Sequence, residues 1–220
     1  MRGRRHACAL AALMLLPASA QAADPAPPDP SLRPAIADAL VRTDGARFVP
    51  DRWHHEPEIV ALYFGADWCA PCHAFVPTLR EVRDTLRAAG ADTEVVYVSL
   101  DARESDMRRY MRLQAMPWPA IDHRRLRALP AIRALGGMAP PNLVLVDRDG
   151  RVLASAWRGR QRTGLQTVLQ QWTKHVAPAQ ARAGPDPWLP ADAGAGTEAV
   201  RDAGRIDHDA TRPAPGPAGR

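Results

Sequence analysis

Residues 59 to 72 read Ile59-Val60-Ala61-Leu62-Tyr63-Phe64-Gly65-Ala66-Asp67-Trp68-Cys69-Ala70-Pro71-Cys72. The first seven are apolar and partly β-branched, which predicts a buried strand over 59–64. After Cys72, the residues Phe75, Val76, Leu79, Val82 and Leu86 fall on one face of a helix predicted from about 70 to 89, which Gly90 ends. The two cysteines therefore sit where a strand hands over to a helix. Free backbone N–H groups in a helix's first turn favour negative charge, so a thiolate at Cys69 is stabilised there. Cys69 is expected to be the exposed nucleophile. Cys72, one turn on and enclosed, is expected to resolve the mixed disulfide.

A cysteine pair at this spacing has three readings: a redox couple, a structural disulfide, or half of a zinc site. A tetrahedral zinc site needs four ligands, usually in two paired clusters. His73 adjoins the pair, but no second cluster follows at a motif distance. The strand–helix setting favours the redox reading. No metal and no cofactor is expected.

Trp68-Cys69-Ala70-Pro71-Cys72 resembles the active-site motif of the thioredoxin-like superfamily, and Pro77 falls where those proteins bend the active-site helix. The segment Pro141 to Gly150 is similar to the one that carries their cis-proline. Val98-Ser99-Leu100-Asp101, Tyr110-Met111 and Met116-Pro117-Trp118-Pro119 resemble the tryparedoxin and nucleoredoxin branch more than plain thioredoxin. The resemblance covers about residues 45–175. It implies an α/β fold: a thioredoxin-like three-layer sandwich, a central mixed β-sheet with helices on both faces. It implies catalysis by Cys69 and Cys72, with Trp68, Ala70, Pro71, Pro140, Pro141 and Trp118 as substrate-binding or supporting residues.

Two departures from the family pattern follow. Pro140 precedes the candidate cis-proline Pro141 and has no N–H to offer a substrate backbone. Tyr63 stands six residues before Cys69, where plain thioredoxins bury an acid, so no carboxylate is visible to deprotonate Cys72. Asp67 is expected to be solvated. The Ala70-Pro71 dipeptide lacks the histidine of strongly oxidising members. That implies a reductant or isomerase-like role rather than a strong oxidant, with a potential nearer about −270 mV than about −120 mV. A disulfide-donating oxidase and a thioredoxin-fold binding or scaffold module are the alternatives.

The N-terminus carries an address. Met1 to His6 is basic, Ala7 to Leu16 is apolar, and Pro17 to Ala22 offers small-residue cleavage sites. Residues 1–22 therefore read as a secretory signal peptide, which predicts a periplasmic protein. Its removal takes Cys8, three arginines and no acids, so the formal charge falls from +5 to about +2. No basic stripe with interleaved aromatics is present, so nucleic acid is not an expected partner. Expected partners are exported proteins with disulfides and a membrane thiol-reducing electron donor; the protein is expected to be a monomer.

The rest of the chain divides by composition. Residues 23–30 are a Pro-rich linker, 31–176 the thioredoxin-like domain, and 177–220 a Pro/Ala/Gly-rich tail expected to be disordered. Within the domain, a helix is predicted over Ser31 to Val41 and an edge strand over Arg47 to Pro50. Trp53-His54-His55 reads as a loop. A strand over Glu94 to Leu100, nearly all apolar, reads as central and parallel. A short helix covers Ser105 to Met111. The loop around Trp118 is read either as core filling or as active-site rim. A basic helix is predicted over His123 to Leu135, whose Arg124, Arg125, Arg127 and Arg133 form either a solvated face or a docking patch for an acidic partner. A hairpin over 142–156 turns at Asp149-Gly150, and a last helix carries Leu165, Val168, Leu169 and Trp172.

Overall fold

The structure, a computed structural model, describes residues 27–176. The expected signal peptide, the first half of the linker and the tail lie outside the described residues. In chain order the elements are α1 (Leu32–Asp38), β1 (Leu40–Asp44), β2 (Arg47–Pro50), β3 (Ile59–Gly65), α2 (Ala70–Ala88), β4 (Thr93–Ser99), α3 (Glu104–Leu113), β5 (Ala120–Ile121), α4 (Pro130–Ala134), β6 (Asn142–Val146), β7 (Val152–Ser155), β8 (Trp157–Arg158), β9 (Gln161–Arg162) and α5 (Leu165–Val176). Seven strands form one sheet in the order β2-β1-β5-β4-β3-β6-β7. β3 runs parallel to β4 and β4 to β5, while β6 and β1 pair antiparallel with their neighbours. The sheet is mixed, as the resemblance implied.

Successive residues of β3 enter different cores, because side chains alternate across a strand. Ala61 and Tyr63 pack with Val76 and Leu79 of α2, Tyr110 of α3 and Trp172 of α5. Val60, Leu62 and Phe64 pack with Ile36 of α1 and Ile132 of α4. Helices thus cover both faces, giving three layers. Every residue of β3 and of β4 is buried, which is why both read as unbroken apolar runs rather than as alternating ones.

Several expectations need correction. The first helix ends at Asp38, and Leu40-Val41 open β1. Leu40 packs on the α1 side and Val41 on the α2 side, a strand's alternation that a helical spacing had masked. The basic helix over 123–135 is broken into a single 3-10 turn, Leu126–Ala128, and α4. Pro130 is the cause: it starts α4 well but pushes Leu129 out of helical geometry, to φ −116° and ψ 70°. Its arginines do not act as one patch, since Arg124 pairs with Glu104 and Arg125 reaches the carbonyl of Asp38. The small β8–β9 hairpin was not foreseen.

Trp118 is core filling. It is 2 % exposed and packs in the α2 layer. Pro119 accepts a hydrogen bond from the Tyr97 backbone, and Pro117 and Pro119 line a cavity with Thr93 and Glu94. That cavity lies where β4 begins, whereas the cysteines follow the end of β3, so this loop does not form the active-site rim. The 142–156 hairpin closes as expected. Gly150 sits at φ +77°, where a Cβ would overlap the carbonyl of Asp29, so only glycine fits.

Candidate active site

Cys69 is the N-cap of α2. Its backbone is extended (φ −92°, ψ 95°), its carbonyl accepts the Cys72 N–H at 2.9 Å, and its Sγ accepts the same N–H at 3.3 Å. The side chain therefore occupies the place where an N-capping oxygen would satisfy a first-turn donor. A thiolate there meets an N–H already aimed at it, which is the local origin of its stabilisation. Pro71 fits the first turn because it lacks only an N–H that would have had no helical partner. Cys69 and Cys72 are joined as a disulfide with their Cα atoms 5.2 Å apart.

Cys72 is 0 % exposed, as expected, but Cys69 is 4 % exposed rather than open to solvent. Its sulfur is bonded inward to the enclosed Cys72, which accounts for the difference. The exposed rim is supplied by its neighbours: Trp68 is 65 % exposed, and Ala70 and Pro71 are exposed too. The Pro140–Pro141 bond is cis. Asn142 pairs with Phe64 near the end of β3, so the cis-proline lies at the cysteine end of the sheet. Beside it, Phe64, Val98, Leu100, Met138, Ala139 and Pro140 line a cavity of about 250 Å³. The six supporting residues expected from sequence thus gather at one end, except Trp118.

Asp67 is not solvated. Its carboxylate is only 11 % exposed and is held by the Arg109 guanidinium of α3. Its N–H donates to Asp101 Oδ1 at 2.9 Å, and its carbonyl lies 2.7 Å from His73 Nε2. The Gln114 amide lies 2.9 Å from His73 Nδ1. The His73 ring is thus held from both nitrogens, by the Asp67 carbonyl on one side and the Gln114 amide on the other. Three elements therefore grip the residue two places before Cys69, which fixes Trp68 and Cys69 in turn.

Behind the disulfide lie three tyrosines, the only ones in the chain. Tyr63 Oη is 2.8 Å from Tyr110 Oη and donates to the Cys72 carbonyl at 3.3 Å. Tyr97 Oη donates to the Gly65 carbonyl at 3.1 Å and reaches Asp101 at 3.4 Å. Burial pushes Tyr63 and Tyr97 far above the usual phenol range, and pushes Tyr110 up to about 12. All three stay uncharged at any physiological pH.

Sequence reasoning missed Asp101, Arg109, Tyr110 and Gln114, because their partners lie 34 to 47 residues away. One local signal existed: Tyr110 sits between Met107 and Met111 on the buried stripe of α3, where a hydroxyl demands a partner. Among the described residues, no group of three or more His, Cys, Asp or Glu is placed to hold a metal ion.

Comparison with known proteins agrees with this geometry. A thioredoxin-like family model matches residues 57–152. Probable nucleoredoxin 3 of Oryza sativa subsp. japonica is 36% identical over 102 residues, covering 45% of this chain and 21% of that protein. Nucleoredoxin of Mus musculus is 31% identical over 129 residues, covering 57% of this chain and 28% of that protein. The chain thus spans less than a third of the length of these relatives. Native tryparedoxin I of Crithidia fasciculata is a solved structure with 27% identity and a TM-score of 0.45, covering 57% of this chain and 85% of that one. The described domain is thus thioredoxin-like over residues 57–152 and is similar in sequence to the nucleoredoxins.

Proposed function

We propose that this protein is a periplasmic thiol–disulfide oxidoreductase that reduces disulfides in exported proteins. The observation that carries the reading is the Cys69 N-cap, with the Cys72 N–H aimed at its sulfur beneath an exposed Trp68. Reduced Cys69 attacks a substrate disulfide as a thiolate, forming a mixed disulfide and releasing one substrate sulfur. Cys72 then gives up its proton and attacks Cys69 Sγ. The Cys69–substrate bond breaks, and its electron pair leaves on the second substrate sulfur, which takes up a proton. The cysteine pair loses two electrons and the substrate gains two.

The apolar Ala70-Pro71 dipeptide supplies no cation to favour the reduced pair unduly, which supports the reducing direction. A membrane thiol-reducing partner would return Cys69 and Cys72 to dithiols. The signal-type segment 1–22 supports export, and Pro140 supports a substrate grip that uses the exposed rim more than backbone pairing. Turnover of a protein disulfide by the full chain with a dithiol donor is expected, and Cys69→Ser should abolish it. Equal turnover in that variant would sink the reading. Fractionation of tagged protein tests the compartment: a cytoplasmic location would remove the exported substrates.

A further inference from the structure

The resolving step requires Cys72, which is fully enclosed, to part with a proton and meet Cys69 in a fixed geometry. Tyr63 stands where an acid might have served. Its hydroxyl touches two other elements at once, the Cys72 carbonyl in the first turn of α2 and the Tyr110 hydroxyl on α3. Its ring is fully buried against Phe75 and Tyr97, at centroid separations of 5.9 and 5.7 Å. The chain makes room for it: a Cβ on Gly65 would lie 2.6 Å from the Tyr63 hydroxyl. The other polar groups facing the pair are Tyr97, Asp101 and Asp67, the ring of His73 at 4.7 Å from Tyr110, and Arg109 on the outer side of α3.

We propose that Tyr63, backed by Tyr110, is the positioning residue for the resolving cysteine. Its hydroxyl anchors the Cys72 backbone so that Cys72 Sγ faces Cys69 Sγ, and fills the place of an acid with an uncharged donor. The inference rests on the thiol-exchange reading. A buried carboxylate there would place a second negative charge beside the forming Cys72 thiolate. A phenol held neutral by burial does not. The proton that leaves Cys72 is not stored on either tyrosine; the departing substrate sulfur takes up a proton as the mixed disulfide breaks. The resolving rate therefore follows Cys72 ionisation alone, with no inflection from a buried acid.

The two half-reactions separate the claim from general damage. On a Cys72→Ser background the mixed disulfide is the end point, so its formation gives the attack rate. With Cys72 present, acid-quenched alkylation of the mixed disulfide gives the resolving rate. Tyr63→Phe keeps the ring and removes the hydroxyl. It should slow resolution about three- to tenfold more than attack, the range expected for one hydrogen bond. Tyr110→Phe should move the same ratio in the same direction by less, and it carries the test if Tyr63→Phe does not fold. A wild-type ratio in these variants, or a resolving rate with a carboxylate-range inflection, overturns the inference alone. Wild-type protein that forms no mixed disulfide overturns the functional reading and the inference together.

Discussion

The two ends of the central sheet are built from different chemistry. Where β3 and β4 begin, opposite charges hold the structure. Glu94 takes Arg83 at 2.6 Å and Arg87 at 2.8 Å, Asp92 takes His55 and Arg148 at 3.1 Å each, and Arg33 takes Glu56 at 2.9 Å. Of these residues, His55, Arg87, Asp92 and Glu94 line a cavity of about 700 Å³. Where β3 and β4 end, beside the cysteines, the buried contacts are made by phenols, an imidazole, the Asp101 carboxylate and backbone groups. Asp101, though 7 % exposed, is satisfied by the Asp67 N–H and the Ser99 and Tyr97 hydroxyls, with no salt bridge among the described residues. The ion pairs at this end involve α3: Arg109 takes Asp67 and Asp106, and Arg103 takes Asp106. The difference is instructive for a thiolate: directly behind the disulfide the geometry is fixed by phenol hydroxyls and backbone groups rather than by an ion pair.

The largest effect that can break this contrast is alkaline. The unfolded chain ionises its tyrosines near about pH 10, while in the fold Tyr63, Tyr97 and Tyr110 resist. A folded-state value raised above the unfolded one gives stability that is complete below about pH 10 and is lost as pH rises beyond it. The two deepest, Tyr63 and Tyr97, should together remove about 3 kcal/mol per pH unit above that point. Phenolate absorbance should then appear in one step, together with loss of helical circular dichroism. A tyrosine that titrates near pH 10 while the fold persists would show the cysteine end to be open and wet.

The charged end makes a smaller, opposite prediction. Glu94 and Arg83 are 10 % and 12 % exposed at the side chain, so Glu94→Ala leaves a largely buried guanidinium with only the exposed Asp84 as its carboxylate partner. A loss of about 2–3 kcal/mol in urea unfolding is expected, below the full cost of breaking a wholly enclosed pair. The thiol-exchange rate should not move, because the change lies at the far end. A parallel loss of exchange activity would mean that the two ends are coupled, and would end the comparison.

How much of this was legible depended on distance along the chain. β3, α2, β4, the 142–156 hairpin and the N-cap position of Cys69 all follow from local pattern: unbroken apolar runs, a helical stripe, and Asp149-Gly150. The fold's hidden parts lacked such pattern. β1 hid because Leu40 and Val41 fit a helical spacing as well as a strand's alternation. β5 is two residues long and is defined mainly by what pairs with it. α4 is short because one proline overrides a helical composition. The same rule held in the site. The cysteines, Trp68 and the cis-proline are sequence-local, whereas the tyrosine pair and the Asp67 clasp join residues that only the tertiary fold brings together. Asp67 looked solvated because nothing near it in sequence is basic; its partner is on α3.

That clasp gives the finest test of the contrast, since its ion pair reaches the residue two places before Cys69. Arg109 is 54 % exposed and Asp67 is 11 % exposed. Removing the cation with Arg109→Gln leaves an uncompensated carboxylate two residues before Cys69. Like charge disfavours a thiolate, so the Cys69 pKa should rise and its attack on a disulfide should slow, by about two- to threefold at low salt. Unfolding free energy should fall by less than in Glu94→Ala, because Arg109 is half exposed and solvent screens its side of the pair. Salt separates this electrostatic effect from a structural one: raising ionic strength shortens the range over which Asp67 acts, so the gap between variant and wild type should narrow. A gap that persists at high salt would mean that Arg109 acts by holding the Asp67 backbone in place, and that charge plays no part at this end of the sheet.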